Sequence, residues 1–242
     1  HDLIIVILMK RRNSYESRKM GLNESKGNMY PWVTHTWNAI KGACPHDCSY
    51  CYMKRWGKLK SVRLDEKELR ADLGKDNFIF VGSSCDMFAK NIPYEWVIKT
   101  IEHCKKFANQ YLFQTKNPSR INNYLIRSHL PKNSIVCTTI ETNKWYPIIM
   151  NNSPHPINRA IEMSRLNVKT YATIEPIMDF DLWDLVELIR FFNPVQVNIG
   201  ADSGNNKLPE PSHDKIDALI EELNIFTTVK LKANLKRLYE KA

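Results

Sequence analysis

The sequence predicts an α/β protein, a partial (β/α)6 TIM-like barrel with parallel strands, and three observations carry that expectation. From residue 77 onward, short apolar β-type runs alternate with helical patterns; such alternation encodes parallel strands joined by right-handed crossovers. About six such units fit the 242 residues, short of the eight of a closed barrel. Polar residues gather where the strand runs end, the edge at which parallel α/β folds build sites. A doubly wound sheet is the alternative use of the same units.

Residues 35–43 supply the first strand, just before a group of cysteines. Residues 77–82 (NFIFVG) are the second, closed by Gly82, and residues 94–108 the helix after it, with Val97, Ile101, Cys104 and Ala108 on one face. Residues 111–116 (YLFQTK) form the third strand, and Pro118 sits near the start of the next helix. Residues 134–141 (SIVCTTIE) are the fourth strand and residues 157–165 its helix. Residues 169–175 (KTYATIE) are the fifth, stopped by Pro176 and followed by a helix marked by Leu182, Leu185, Val186 and Ile189. Residues 196–200 (QVNIG) are the sixth, and Ile216, Leu219, Ile220 and Leu223 mark the last helix. The strand-end polar residues are Ser83, Ser84 and Asp86; Gln114 and Lys116; Glu141; Glu175; and Asn198 and Asp202. Thr139-Ile140-Glu141 and Thr173-Ile174-Glu175 echo each other, which predicts two carboxylates aimed into one cavity. The polar loop 203–212 is placed to cover it.

The domain expectation is residues 29–225 as the barrel, 1–28 as an N-terminal extension of disordered or non-native character, and 226–242 as a basic C-terminal segment. The apolar run 3–9 is too short to span a bilayer, and the basic residues follow it rather than precede it, so neither a membrane span nor a signal peptide is expected. The net charge is +9, with 15 Lys/Arg against 8 Asp/Glu in residues 1–75, 15 against 17 in residues 76–225, and 5 against 1 in residues 226–242. Such basic ends either meet nucleic acid or solubilise the chain. Trp32, Trp37, Tyr52, Trp56 and Trp145 are candidate base-stacking residues, or core.

Three of the six cysteines, Cys44, Cys48 and Cys51, fall in a C-x3-C-x2-C motif. That clustering suits a reduced, cytoplasmic setting better than a disulfide framework. Three thiolates on one tight loop can take three corners of a [4Fe–4S] cubane, leaving the fourth iron open for a cofactor or substrate. Gly42 and Pro45 suit a loop that wraps an inorganic cluster. Structural zinc is the alternative. It needs a fourth ligand, for which His46 or His35 is available, and no second cysteine hook accompanies the first. Cys85, Cys104 and Cys137 are scattered, and Cys85 beside the expected site reads mainly as a small buried hydrophobe.

With Tyr50 before its last cysteine and its place between a first strand and a first helix, the motif resembles that of the radical SAM superfamily. Residues 31–38 (PWVTHTWN), Cys85-Asp86-Met87-Phe88, Gln114-Thr115-Lys116-Asn117-Pro118, residues 138–143 (TTIETN), Thr173-Ile174-Glu175-Pro176 and residues 198–202 (NIGAD) look like a phage-associated group of that superfamily, over roughly residues 30–215. The resemblance implies a partial barrel and Cys44, Cys48 and Cys51 as ligands of a [4Fe–4S] cluster. It also implies reductive cleavage of S-adenosyl-L-methionine to a 5′-deoxyadenosyl radical that abstracts a substrate hydrogen. Tyr50 would pack near the adenine. Ser83 and Ser84 stand where the superfamily often has Gly-Gly-Glu, a departure that leaves Asp86 to hold the methionine amino group. Glu141 lies where a ribose ligand is common, and Asn198 and Gly200 where adenine contacts are. Gln114, Lys116 and Glu175 are candidates for substrate or cofactor contacts, with Lys116, Glu141 and Glu175 the candidate catalytic groups. A reductant such as flavodoxin or ferredoxin is implied, in the host cytoplasm if a phage encodes the chain. A nucleotide, DNA or RNA substrate leads. A small metabolite or peptide is the second reading, and a non-catalytic, metal-stabilised nucleic-acid-binding protein the third.

Overall fold

The computed structural model describes residues 21–27 and 29–240, so most of the extension expected over residues 1–28 lies outside the described residues. Ten strands are described. They are β1 (Asn23–Glu24), β2 (His35–Trp37), β3 (Ile40–Lys41), β4 (Arg63–Leu64), β5 (Phe78–Val81), β6 (Gln110–Thr115), β7 (Ser134–Thr139), β8 (Lys169–Ile174), β9 (Gln196–Ile199) and β10 (Thr228–Leu231). The helices are α1 (Tyr94–Cys104), α2 (Ser119–Asn122), α3 (Tyr124–Arg127), α4 (Pro147–Met150), α5 (Pro156–Ser164), α6 (Leu182–Phe192) and α7 (His213–Asn224).

Eight strands form one open sheet in the order β1-β2-β5-β6-β7-β8-β9-β10, parallel from β2 to β10 with β1 antiparallel on the edge. This is the expected partial barrel: the six predicted strands appear in chain order, the first only as His35–Trp37, because Ile40–Lys41 pairs instead with β4 in a separate two-stranded sheet. Two further differences stand out. The helix expected from Pro118 is two single turns, α2 and α3, broken at Asn123, whose backbone is extended and whose side chain caps the second turn by accepting from Leu125 N. The barrel also runs past residue 225. β10 pairs with β9, Lys230 opposite Asn198, and the turn Ala233–Leu238 buries Leu235 and Leu238.

Period-two alternation sorts the strand side chains into two layers. Ile79, Val81, Phe113, Val136, Ala172, Val197 and Ile199 join the helices in the main core, with Val97, Ile101, Leu185, Ile189 and Leu219. Their neighbours Phe80, Leu112, Ile135, Cys137 and Tyr171 face the concave side and pack around Tyr30 and Val33. The segment just before β2 thus plugs the barrel floor. Tyr30 and Trp32 stack there with ring centroids 4.9 Å apart. Along the same concave face the next positions are polar: Gln114 follows Leu112, Thr139 follows Cys137, and Thr173 follows Tyr171. The inner face changes from apolar floor to polar mouth along each strand, and that gradient positions the site. No described helix is long and apolar enough to cross a membrane.

Candidate functional site

The cysteine loop is tied down at both ends. β3 and β4 pair antiparallel at its base, and Ala43 N donates to Lys60 O at 2.8 Å. Gly42 makes that closure possible: its φ is +116°, and a Cβ there would stand 2.5 Å from Ser61 O. On the other side Ser49 N donates to Ile149 O at 2.9 Å and Asn152 N to His46 O at 3.0 Å, so the segment around α4 clamps the loop. Cys44, Cys48 and Cys51 are free thiols, and all three line one cavity of about 750 Å³ at the C-terminal ends of the strands. Cys85, Cys104 and Cys137 are buried and lie outside that lining. Cys85 shares a hydrogen bond with Cys44, which lowers the Cys44 thiol's pKa and raises that of Cys85.

Two buried networks support the cavity wall. Asp86 accepts from His46 Nε2 at 2.8 Å, from Thr115 Oγ1 and Lys116 N at 2.9 Å each, and from Phe88 N at 2.9 Å. Burial works against its charge, but His46 and the backbone donors hold its carboxyl below the usual range. Asp86 therefore ties the cysteine loop to the end of β6, its oxygens already committed to four donors. In the second network, Glu141 is fully buried. It receives Arg159 Nη1 at 2.7 Å and Lys116 Nζ at 2.8 Å, together with the Tyr50 hydroxyl. Lys116 Nζ also donates to Tyr50 Oη at 2.5 Å and lies 4.6 Å from its ring centroid. Burial pushes the Glu141 carboxyl up, and Arg159 and Lys116 outweigh it, holding the carboxyl at about 2. Burial likewise disfavours the Lys116 ammonium, but the neighbouring Cys48 and Glu141 keep its pKa above the ordinary lysine value.

The sequence candidates divide accordingly. Tyr50, Ser83, Asp86, Gln114, Lys116 and Glu175 line the cavity with the three cysteines. Gln114 accepts from Tyr30 Oη at 2.9 Å and donates to Thr139 Oγ1 at 3.1 Å. Glu175 accepts from Lys232 Nζ at 2.6 Å and Asn234 Nδ2 at 3.0 Å. Ser84, Glu141, Asn198 and Gly200 do not line it. Ser84 donates its hydroxyl and its backbone N–H to Asn38 Oδ1 at 2.9 and 2.8 Å. Asn198 sits deep in the sheet, accepting from Gln196 and donating to Ala172 O at 3.1 Å. Gly200 leaves room for Glu175, whose Oε1 would be 2.8 Å from a Cβ there. The two echoing glutamates thus do different things: Glu175 faces the cavity and Glu141 braces the wall behind it.

Residues not singled out from the sequence complete the picture. Arg159, on α5, carries a signal that was available: a charged residue among Pro156, Ala160 and Met163 on a buried helix face requires a buried partner. Asn38 follows β2, and Lys232 and Asn234 follow β10, in what was expected as a basic C-terminal segment beyond the barrel.

The donor set suits the cluster that the motif implies. Among the described residues, no three His, Cys, Asp or Glu side chains are grouped as for a single metal ion. Cys44, Cys48 and Cys51 supply the three thiols that such a cluster takes, on one loop and in one cavity lining. Of the two histidines available to complete a zinc site, His46 lines the cavity with the cysteines and His35 does not. His46 is engaged by Asp86, and His35 lies on β2 outside the cavity lining.

The fold is shared with solved structures. A spore photoproduct lyase with bound AdoMet and dinucleoside spore photoproduct aligns with a TM-score of 0.63 at 12% identity, over 89% of this chain and 79% of that one. A second spore photoproduct lyase structure, complexed with dinucleoside spore photoproduct, aligns with a TM-score of 0.62, again at 12% identity, over 89% and 79%. Streptococcus suis SuiB bound to precursor peptide SuiA aligns with a TM-score of 0.56 at 11% identity, over 97% of this chain and 62% of that one. At these identities the likeness is one of fold alone, a parallel partial barrel. No curated protein sequence matches the chain. A family model does, over residues 28–211, and the chain belongs to that family, DUF5131, described as a protein of unknown function.

Proposed function

We propose that the protein is a radical SAM enzyme acting on a nucleotide or nucleic-acid base, of the phage-associated kind its motifs resemble. One observation carries the reading: three free thiols spaced C-x3-C-x2-C line a single cavity at the C-terminal mouth of a parallel partial barrel. Cys44, Cys48 and Cys51 would hold a [4Fe–4S] cluster there. When bound, the cluster supplies the electron that cleaves S-adenosyl-L-methionine into methionine and a 5′-deoxyadenosyl radical able to take a substrate hydrogen.

The chain's own residues do the rest. Asp86 fixes the cysteine loop through His46, so the thiols keep one arrangement as ligands enter and leave. Lys116 places a part-buried positive charge on the cavity wall, close to Cys48 and Glu141. Tyr50 is held by Glu141 and Lys116, presenting its ring at the wall where an adenine would rest. Gln114 and Glu175 offer polar contacts from the strand ends. The Tyr30–Trp32 stack packs the floor with apolar side chains, opposite the polar mouth. The electron comes from a reductant of the flavodoxin or ferredoxin class, and a cluster sensitive to oxidation places the protein in a reducing cytoplasm. The dinucleoside bound by spore photoproduct lyase supports the nucleotide reading, and the cationic lining of this chain's cavity supports it independently.

The test is anaerobic reconstitution with iron and sulfide, then reduction and addition of S-adenosyl-L-methionine. The expected products are 5′-deoxyadenosine and methionine, with both cluster absorption and cleavage lost in Cys48→Ala. A protein that takes up stoichiometric zinc and shows no iron–sulfur absorption would overturn the reading.

A further inference from the structure

We propose that the cavity mouth is a nucleic-acid strand site. Lys26, Lys54, Arg55 and Lys58 would engage phosphodiesters and Trp56 would stack a neighbouring base, while the target base enters the cavity unstacked. The inference rests on the reading above for the fate of that base; the binding itself does not depend on it.

The first observation is charge. Lys26, Lys54, Arg55 and Lys58 line the cavity and are exposed. Among the described residues, Arg55 and Lys58 form no salt bridge, whereas Lys54 pairs with Asp47 at 2.7 Å and Lys26 with Glu24 at 3.6 Å. Both of those pairs lie in solvent, where an ion pair contributes little and yields readily to a competing anion. The carboxylates of the lining are otherwise engaged. Asp86 is held by His46, Glu175 by Lys232, and Asp202 accepts from Gly204 N at 2.9 Å and Asn206 Nδ2 at 2.6 Å. The mouth is left with a positive surplus, the arrangement that attracts a polyanion.

The second observation is aromatic. Trp56 ends the 3-10 turn Tyr52–Trp56 and is 78% exposed, outside the cavity lining yet between two of its cations. Tyr52, 45% exposed, opens the same turn and is steadied by its hydroxyl's bond to Ser83 O at 2.8 Å. Five of the seven positions from 52 to 58 are thus Tyr, Lys, Arg, Trp and Lys, directly after the last cluster cysteine. Cations alternating with exposed rings fit a strand whose phosphates and bases alternate in the same way. An acidic peptide would use the cations and leave the rings idle. A free mononucleotide would fill the cavity without reaching Trp56. Chemistry on a base inside a cavity also requires that the base leave its stack, which favours a single-stranded or locally opened segment over intact duplex.

The experiment is fluorescence anisotropy with the cluster-loaded protein and a short labelled single-stranded DNA, without S-adenosyl-L-methionine, across a salt series. Competitors are the same sequence as RNA, the duplex, a mononucleotide and poly-glutamate. We expect the strand to compete far better than the mononucleotide or poly-glutamate. The Arg55→Ala/Lys58→Ala variant should weaken binding at least about tenfold and flatten the log–log salt slope by about 1.4, two phosphate contacts at ~0.7 each. Trp56→Ala should weaken it about tenfold with the slope unchanged, as loss of stacking requires. These side chains are exposed, so circular dichroism and iron content should match wild type. Equal competition by poly-glutamate would mark the surface as one for acidic proteins. Equal affinity for a mononucleotide would mark the substrate as small. Unchanged binding in both variants would place the strand elsewhere. Each of these results overturns the proposal. Strand binding without any 5′-deoxyadenosine would leave this site standing while removing the enzymatic reading.

Discussion

Glu141 shows how a strand-end carboxylate can serve a site without entering it. Its charge is fully buried, which is tolerable only because Arg159 and Lys116 face it and Tyr50 donates to it. Removing one member leaves the others uncompensated, so Arg159→Met should cost on the order of 3–5 kcal/mol in urea unfolding at neutral pH. The same geometry sets a pH dependence. The folded carboxyl is held at about 2, below the roughly 4.3 of an unfolded glutamate. Its contribution is therefore present in full above the unfolded pKa and fades as pH falls towards the folded one. Between about pH 5 and 2 the wild-type protein should lose roughly 3 kcal/mol through this group. Glu141→Gln, less stable at neutral pH, should lack that increment of the acid slope. Parallel slopes for the two proteins would show that Glu141 is not held as described.

At the scale of elements, the cysteine loop is a hairpin whose closure depends on one backbone conformation. Gly42→Ala forces a side chain into positive φ and against the carbonyl of Ser61. The strain is about 1–3 kcal/mol, and it falls on the loop and not on the core. We expect iron uptake on reconstitution to drop severalfold while the melting temperature moves by only a few degrees. A variant that loads iron normally would show that the loop closes in another way. This loop was also the most readable part of the sequence, because ligand spacing is local and needs no fold to interpret. Strands β5 to β9 were readable for a similar reason: buried parallel strands are largely apolar runs. The partners of the candidate residues were not. Asp86 looked like a cofactor ligand because nothing local shows that His46, forty positions earlier, would meet it. Asn198 and Gly200 sat in a strand-end motif, yet one is tied to Ala172 O and the other makes room for Glu175.

At the scale of the molecule, the C-terminal segment decides whether the barrel is complete. Residues 226–242 carry 5 Lys/Arg against 1 Asp/Glu and contain a strand of four residues, most of it exposed. Charge of that kind on an edge strand discourages pairing with other chains, and in sequence it looks the same as a solvated tail. The structure gives the segment three tasks. β10 covers the edge of β9, Leu235 and Leu238 seal the core beside α7, and Lys232 and Asn234 hold Glu175 at the cavity wall. A chain ending at Ile225 loses all three. Two buried leucines at about 2–5 kcal/mol each, plus a part-buried carboxylate deprived of its lysine at about 1.5–3 kcal/mol, together rival the total stability of an ordinary domain. The truncated chain should therefore be recovered mainly as aggregate, with β9 exposed as a new edge. Lys232→Met separates the effects, since it keeps the strand and the leucines while removing only the charge. It should remain soluble, with a melting temperature lower by roughly 3–12 °C, about 1.5–3 kcal/mol at about 2–4 °C per kcal/mol. If the truncated chain instead folds, melts and takes up iron as the full chain does, residues 226–242 are a detachable tail and the barrel closes without them.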